Sequence, residues 1–391
     1  MKILLLDNAW SQTAALVKEL YGAGFQVTLM SPEEPSENDL GKYCRQICSL
    51  NLVNGKPPVE YTKQLLTLLS REYFDYILPV SEILQDLAWD LPMPYRKAVF
   101  PDASQHQRDL LSDRRAMYAL MESVGVPFPK NLKVESEAAI QKIAAQLQYP
   151  FVLRGTQGTG GQQVQIVDSH GSAISAYQRL RELSPQPPFA QQYIDGEIVG
   201  VGALLTEGVA LQTFAYRVLE TYPSPTGPSL RIESLYDPIL IKHANAVFTA
   251  LQWSGIAQAQ FMRDKNGAYY FLEVNPRPWG SVLGAGSVGI NLFRDFANKM
   301  AGKPVAKIKK FKSGIQATLF PAFINARISQ GNLFAVADAK AYYQMLKALP
   351  WDCLPLLRHH LKKTYWHYMG MRRTKALREV NSKQSARRTH V

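Results

Sequence analysis

Five side chains flanking an Asn-Gly step form the most chemically suggestive pattern in the chain: Gln258 and Gln260 before Asn266-Gly267, and Glu273, Asn275 and Arg277 after it. Asn-Gly between two runs of alternating character signals a two-residue hairpin loop with a type I′ turn. A loop of that length sets residue 265 opposite 268, and hence Gln260 opposite Glu273 and Gln258 opposite Asn275. Cross-strand partners share a face and successive strand side chains alternate. The oxygen-bearing side chains therefore gather on one face, with Arg277 continuing their parity, while Ala259, Phe261, Leu272 and Val274 take the other. Opposed β-carbons lie roughly 5 Å apart, so oxygens from both strands can share one cation. The same pattern also suits a hairpin with a solvated polar face, since short motifs match by chance.

The chain that must position this hairpin has 391 residues, 46% hydrophobic and 19% charged, which suits a globular protein of two or three domains and argues against pervasive disorder. The first apolar run, Ile3 to Leu6, stops at Asp7, and no stretch approaches the length of a spanning helix. Cys44, Cys48 and Cys353 make neither a disulfide framework nor a zinc set. A reduced, cytoplasmic setting is the expectation. The net charge of +12 is uneven: from Lys303 onward there are 18 Lys and Arg against 3 acids, leaving 26 against 29 before it. A partner attracted by basic charge would therefore meet the last ninety or so residues.

Lys2 to Leu6 reads as a buried strand, Ser11 to Tyr21 as a helix and Phe25 to Met30 as a second strand. The turn after the first strand is DNAWSQ, without the glycines of a dinucleotide fingerprint, so NAD binding is not expected. A helix over Tyr61 to Ser70 and a strand over Tyr76 to Val80 extend a parallel α/β unit. A helix opening at Ser112 or Asp113 places Arg114 in its first turn and stops at Gly125. The strand Phe151 to Arg154 then runs into Gly155 to Gly161, with four glycines in seven residues, and on to a strand at Val164 to Val167. Such a strand-loop-strand flap can close backbone amides over phosphates, although a plain flexible hairpin has the same composition. Phe189 to Ile194, a hairpin turning at Glu207-Gly208, a proline-rich loop from Glu220 to Pro228 and a helix from Pro238 to Gln252 complete the approach to the opening motif.

In this order the segments resemble the ATP-grasp superfamily of carboxylate-activating ligases over roughly residues 1 to 302. GVPFP following the Ser-Asp-Arg helix, PFVLRGTQGTGGQQV, FAQQYIDGE and FLEVNPRPWGS are similar to the family's domain opening, glycine-rich flap, adenine hinge and E-x-N-x-R metal signature. The resemblance implies an N-terminal parallel α/β domain over 1–110 and an α+β ATP-grasp fold over 111–302 with a mobile flap at about 126–192. Beyond its reach, charge and spacing give a basic helical segment with a disordered tail over 303–391. It implies ATP and Mg2+ as cofactors. Arg114 and Arg154 would contact phosphates where most members have lysine, assisted by Gly158, Gly160 and Gly161. Gln191, Gln192, Tyr193 and Ile194 would border adenine and Glu197 the ribose. Gln260, Glu273 and Asn275 would hold magnesium, while Arg277 and Arg217 would face the transferred phosphoryl group or the acyl substrate. Arginine at the phosphate positions and glutamine in the metal set is a pattern shared with the carbamoyl-phosphate synthetase branch.

The implied activity is ATP-dependent activation of a carboxylate as an acyl phosphate, attacked by an amine to form an amide. The alternatives are attack by another nucleophile, or an ATP-binding regulator that acts through the basic segment. Small-molecule carboxylate and amine partners follow, and a homodimer is compatible with the pattern. Leu354, Leu357, Leu361, Tyr365 and Tyr368 fall at helical spacing beside His359, His360, Lys362 and Lys363. That stripe suits docking on its own domain, or weak contact with an anionic membrane surface or an acidic macromolecule. Nucleic acid is disfavoured, since no recognition module accompanies the charge.

Overall fold

Ile3, Leu4, Leu5 and Leu6 are all fully buried, as a strand covered on both faces of a parallel sheet requires. The computed structural model describes residues 1–8, 12–31, 40–49, 59–156, 163–184, 186–223, 227–305, 310–331 and 338–341. The stripe from Leu354 to Tyr368 and glycines 158, 160 and 161 lie outside them.

The first sheet contains β1 (Lys2–Leu6), β2 (Gln26–Ser31), β3 (Cys44–Ser49) and β4 (Tyr76–Pro79), all parallel, in the order β3-β2-β1-β4. Three helices belong to it: α1 (Thr13–Ala23), α2 (Val59–Arg71) and α3 (Glu82–Trp89). Strand order reverses between β1 and β4, so the carboxyl ends of these two strands flank the crevice where open α/β sheets bind ligands. Helix α3 starts at that crevice.

Next come α4 (Gln105–Ser112) and α5 (Arg114–Ser123), separated by Asp113, whose side chain accepts from the backbone N–H of Arg115 at 2.8 Å and so caps α5. A four-stranded antiparallel sheet follows, with β5 (Asn131–Lys133), β6 (Phe151–Arg154), β7 (Val164–Val167) and β8 (Phe189–Gln192) in the order β5-β8-β6-β7. Helices α6 (Ile140–Leu147) and α7 (His170–Leu183) back it and share its core of Ile140, Ile143, Phe151, Leu153, Ala173 and Leu180.

The largest sheet has β9 (Gly196–Thr206), β10 (Val209–Thr221), β11 (Ser229–Ser234), β12 (Gly255–Asp264), β13 (Tyr269–Asn275) and β14 (Gln316–Thr318), in the order β13-β12-β9-β10-β11-β14. Helices α8 (Pro238–Leu251), α9 (Leu292–Met300) and α10 (Ala322–Gln330) complete the described elements. One buried cluster runs from Ile3 through Trp89 and Met121 to Phe261 and Phe296, so the first sheet and the largest share a core. The Glu207-Gly208 hairpin forms as the sequence predicts, with φ of 47° and 80° at its two turn residues.

The Asn266-Gly267 turn differs from its expectation. Asp264 N–H donates to Ala268 O at 2.9 Å, which makes the loop three residues long, and Gly267 alone takes a left-handed φ, of 87°. The cause lies one residue before the expected turn. Asp264 Oδ1 accepts from the backbone N–H groups of Asn266 and Ala268, at 2.9 and 2.8 Å, and this local bonding competes with the tighter turn. The three-residue loop pairs Phe261 with Phe271, and a bulge after Gln260 then restores Gln260 opposite Glu273 and Gln258 opposite Asn275. The predicted register of the polar face therefore holds. The apolar face is corrected: Phe271 is fully buried against Phe261, at 5.7 Å between ring centroids, while Leu272 is only half-buried and turns toward the cleft.

Strand β9 makes room for the polar face with two glycines. Gly200 pairs with Gln260 and Tyr216, and Gly202 with Gln258 and Phe214. A Cβ at Gly202 would lie 1.8 Å from Cη2 of Trp279, whose ring is buried. Gly202→Ala is therefore expected to destabilise the fold by about 1–3 kcal/mol through overpacking, measured as a lower urea midpoint with an unchanged slope.

Candidate functional site

Glu273 is the centre of the site. It lies at the bulged end of β13, and its Oε2 accepts from Arg114 Nη2 at 3.3 Å and from Arg154 Nη2 at 3.1 Å. One guanidinium comes from the first turn of α5, the other from the end of β6. Each is held by its second nitrogen as well: Arg114 Nη1 donates to Gly155 O at 3.2 Å and Arg154 Nη1 to Gln191 Oε1 at 3.4 Å. Gln191 Nε2 in turn donates to Tyr118 Oη at 2.7 Å, and Tyr118 donates to Leu272 O at 3.1 Å. Burial pushes the Glu273 carboxyl up, but Arg114 and Arg154 outweigh it and hold the group below the usual carboxylate range. Burial and the neighbouring Arg154 pull Arg114 below its ordinary value against the opposing pull of Glu273.

Two hollows meet at Leu272. The first, of about 620 Å3, lies between the small sheet and the large one, and Val152, Ile166, Ile194, Val218, Met262 and Leu272 give it apolar walls. Its rim carries Gln191, Gln192, Tyr193 and Glu197. Tyr193 and Ile194 lie beyond the last paired residue of β8, so their backbone is outside the sheet ladder. An apolar hollow rimmed by a few polar groups is the usual setting for a small organic ligand. Glu197 accepts from Arg263 at 3.2 Å and from Arg217 at 3.4 Å. Arg217 also donates to Glu233 at 2.9 Å, and this carboxylate raises its pKa. Arg217 thus belongs to the Glu197 end of the cleft, where it pairs with Glu197 and Glu233.

The second hollow, of about 550 Å3, is lined by Arg114, Thr156, Glu273, Asn275 and Pro276, and on the opposite wall by α3. Arg277, expected to face the transferred phosphoryl group or the acyl substrate, is held beside this hollow by α3. Its Nε donates to Glu82 Oε2 at 2.5 Å and its Nη1 to Pro278 O at 3.0 Å, while Gln85 Nε2 donates to Pro276 O at 2.7 Å. Glu82 and Gln85 were not singled out by sequence reasoning. Their available signal was position, in the helix that follows β4 at the strand-order switch.

No group of three His, Cys, Asp or Glu that could hold a metal occurs among the described residues. The set that register assembles is one carboxylate and two amides, Glu273, Gln260 and Asn275. Asn275 Nδ2 donates to Gln258 Oε1 at 2.9 Å, and its Oδ1, on the other side of the amide, accepts from Arg277 Nη2 at 3.5 Å. An all-oxygen set of this kind suits a hard cation such as Mg2+ whose remaining ligands come from a phosphate-bearing molecule. No helix among the described residues is long and apolar enough to cross a membrane.

Residues 111–281 match the family model described as an ATP-grasp domain. The carbamoyl phosphate synthase large chain of Thermoanaerobacter sp. (strain X514) is 25% identical over 215 residues, covering 53% of this chain and 20% of that protein. The arginine-specific large chain from Bacillus subtilis (strain 168) is 28% identical over 231 residues, covering 55% and 22%. The matched stretch therefore spans about a fifth of those relatives' length. Among solved structures, the biotin carboxylase of Campylobacter jejuni in complex with beta-gamma-ATP superposes with a TM-score of 0.66 at 17% identity, covering 78% of this chain and 72% of that one.

The depressed pKa of Glu273 carries a testable sign. A carboxyl lowered in the folded state contributes stability that is complete above its unfolded value of about 4.3 and is lost as pH falls through the lower folded value. The stability difference between the wild type and Glu273→Gln, from urea unfolding at a series of pH values, should be constant near neutrality. It should shrink only below about pH 4.

Proposed function

We propose, from the match of residues 111–281 to the ATP-grasp domain model, that the protein is an ATP- and Mg2+-dependent ligase. It activates a small carboxylate as an acyl phosphate and joins it to an amine. The observation that carries this reading is the shared carboxylate of Glu273, which stands between an apolar slot fit for a base and a polar hollow, with two guanidiniums aimed at it. The kinship with carbamoyl phosphate synthase large chains and the fold of a nucleotide-bound biotin carboxylase support it.

In this reading the base occupies the slot beside Gln191, Gln192, Tyr193 and Ile194, with Glu197 reaching the ribose. The triphosphate extends past Leu272 to Arg114 and Arg154, whose forked donors suit phosphate oxygens. Gln260, Glu273 and Asn275 would hold Mg2+, which neutralises charge on the phosphates when bound. The acyl substrate enters the hollow bounded by α3, beside which Arg277 is held by Glu82 and Asn275. A carboxylate oxygen attacks the γ-phosphorus and ADP departs; the amine then attacks the acyl carbon and inorganic phosphate departs. Arginines held in place before substrate arrives stabilise the developing negative charge without reorganising. The glycines 158, 160 and 161 of the flap are proposed to cover the phosphates.

The test is ADP release with Mg2+ across pooled carboxylates and amines. A productive pair should release ADP with amide formation, and Glu273→Gln should lower turnover at least about 100-fold. Absence of ADP in every pairing, with ATP binding intact, would favour a nucleotide-binding regulator instead.

A further inference from the structure

Asn275 can present either its oxygen or its nitrogen to a cation, and only the oxygen is a ligand. Its choice depends on what the other end of the amide bonds. Asn275 Nδ2 donates to Gln258 Oε1 at 2.9 Å, Gln258 Nε2 donates to Tyr216 Oη at 2.5 Å, and Ser281 Oγ donates to the same phenol oxygen at 2.8 Å. Gln258, Tyr216 and Ser281 are each at least 96% buried. Burial raises the pKa of the Tyr216 phenol, so the group stays protonated and neutral.

The line of amides and hydroxyls crosses β12, β9 and β10 on one face of the sheet, over the two glycines that clear its path. A Cβ at Gly200 would lie 2.8 Å from Gln258 Nε2 and 2.9 Å from Tyr216 Oη. The ring of Trp279 covers Gly202 and closes the row. Nothing in the ligase chemistry needs a buried phenol two strands from the cleft, yet the sheet gives up two side chains to admit it.

We propose that Tyr216, Gln258 and Ser281 form a positioning relay that orients the Asn275 amide so that Oδ1 points at the divalent cation. This rests on the reading of Gln260, Glu273 and Asn275 as the cation site, and adds to it the residues that set its polarity. Reversing Gln258 would turn its nitrogen toward Asn275, so Asn275 would have to flip and offer Nδ2 to the cation. Gln258 Nε2 and Ser281 Oγ both donate to the Tyr216 oxygen, so reversing Gln258 would break the first bond and oblige the phenol to turn its own proton toward Gln258 Oε1. Partners of this kind behind metal ligands are worth about 10-fold or more in metal affinity.

The experiment measures Mn2+ affinity, by electron paramagnetic resonance of the free ion, in the full chain saturated with a non-hydrolysable ATP analogue. Tyr216→Phe should weaken Mn2+ about 10-fold while leaving metal-free affinity for the analogue within about 2-fold. Gln258→Leu, which removes the link at its middle, should do the same. In an Asn275→Asp background, Tyr216→Phe should change Mn2+ affinity less than about 2-fold, since a carboxylate offers oxygen in either orientation. Unchanged Mn2+ affinity in both single variants would overturn the relay. An equal loss with and without Asn275→Asp would also overturn it, showing a merely structural role. If the wild type binds the analogue but holds no Mn2+ beside it, the cation-site reading falls and the relay with it. Mn2+ binding that the variants leave untouched removes the relay alone.

Discussion

A single carboxylate holds three parts of the molecule in one place. Arg114 belongs to α5, Arg154 to the small antiparallel sheet and Glu273 to the large one, and the two guanidiniums meet on the oxygen of Glu273. Half-buried charges at about 3 Å interact far more strongly than exposed pairs, and removing the carboxylate would leave two cations facing each other. That ion triad sets the spacing of the two hollows, because Leu272, the neighbour of Glu273, forms part of both. Tyr118 reinforces the same junction by donating to the Leu272 carbonyl while it accepts from Gln191.

Delivering Glu273 to that point is a problem of register. A one-residue slip along β13 would send its side chain into the apolar face. The loop at Asn266-Gly267 is one residue longer than a type I′ hairpin, and without compensation the slip would occur. The bulge after Gln260 absorbs the extra residue. As a result Phe271, and not Leu272, fills the core beside Phe261, while Leu272 is released to line the cleft.

The parts of this arrangement that could be read in the sequence are those with a short-range cause. Alternation and the turn signal give the pairing of Gln260 with Glu273, the punctuation around Gly125 and Pro127 gives the end of α5, and Glu207-Gly208 gives its own hairpin. The bulge was not legible because it arises from two backbone bonds to Asp264 competing with the turn, a balance of small energies that no pattern records. Strand β3 and helix α3 were also passed over, and with them Glu82, whose contact with Arg277 spans 195 positions. Tyr216 and Gly202 looked like ordinary strand residues. Only the sheet order, with β9 between β10 and β12, shows that one leaves space and the other crosses it.

The use of arginine at both 114 and 154 follows from the same geometry. Each guanidinium spends one terminal nitrogen on a neutral acceptor, Gly155 O or Gln191 Oε1, and offers the other to Glu273. A lysine ammonium is a point charge on a flexible stem and could not be tethered by one donor while aiming a second in a set direction. Tethering matters because the partner must change in the proposed reaction. With a triphosphate and its cation in the cleft, the guanidiniums would pass from carboxylate to phosphate and Glu273 from guanidinium to cation, so that every charge would exchange a partner. The neutral amides of Gln260 and Asn275 fit this exchange. With Gln260 and Asn275 neutral, two guanidiniums face one carboxylate, and the excess positive charge suits an incoming phosphate.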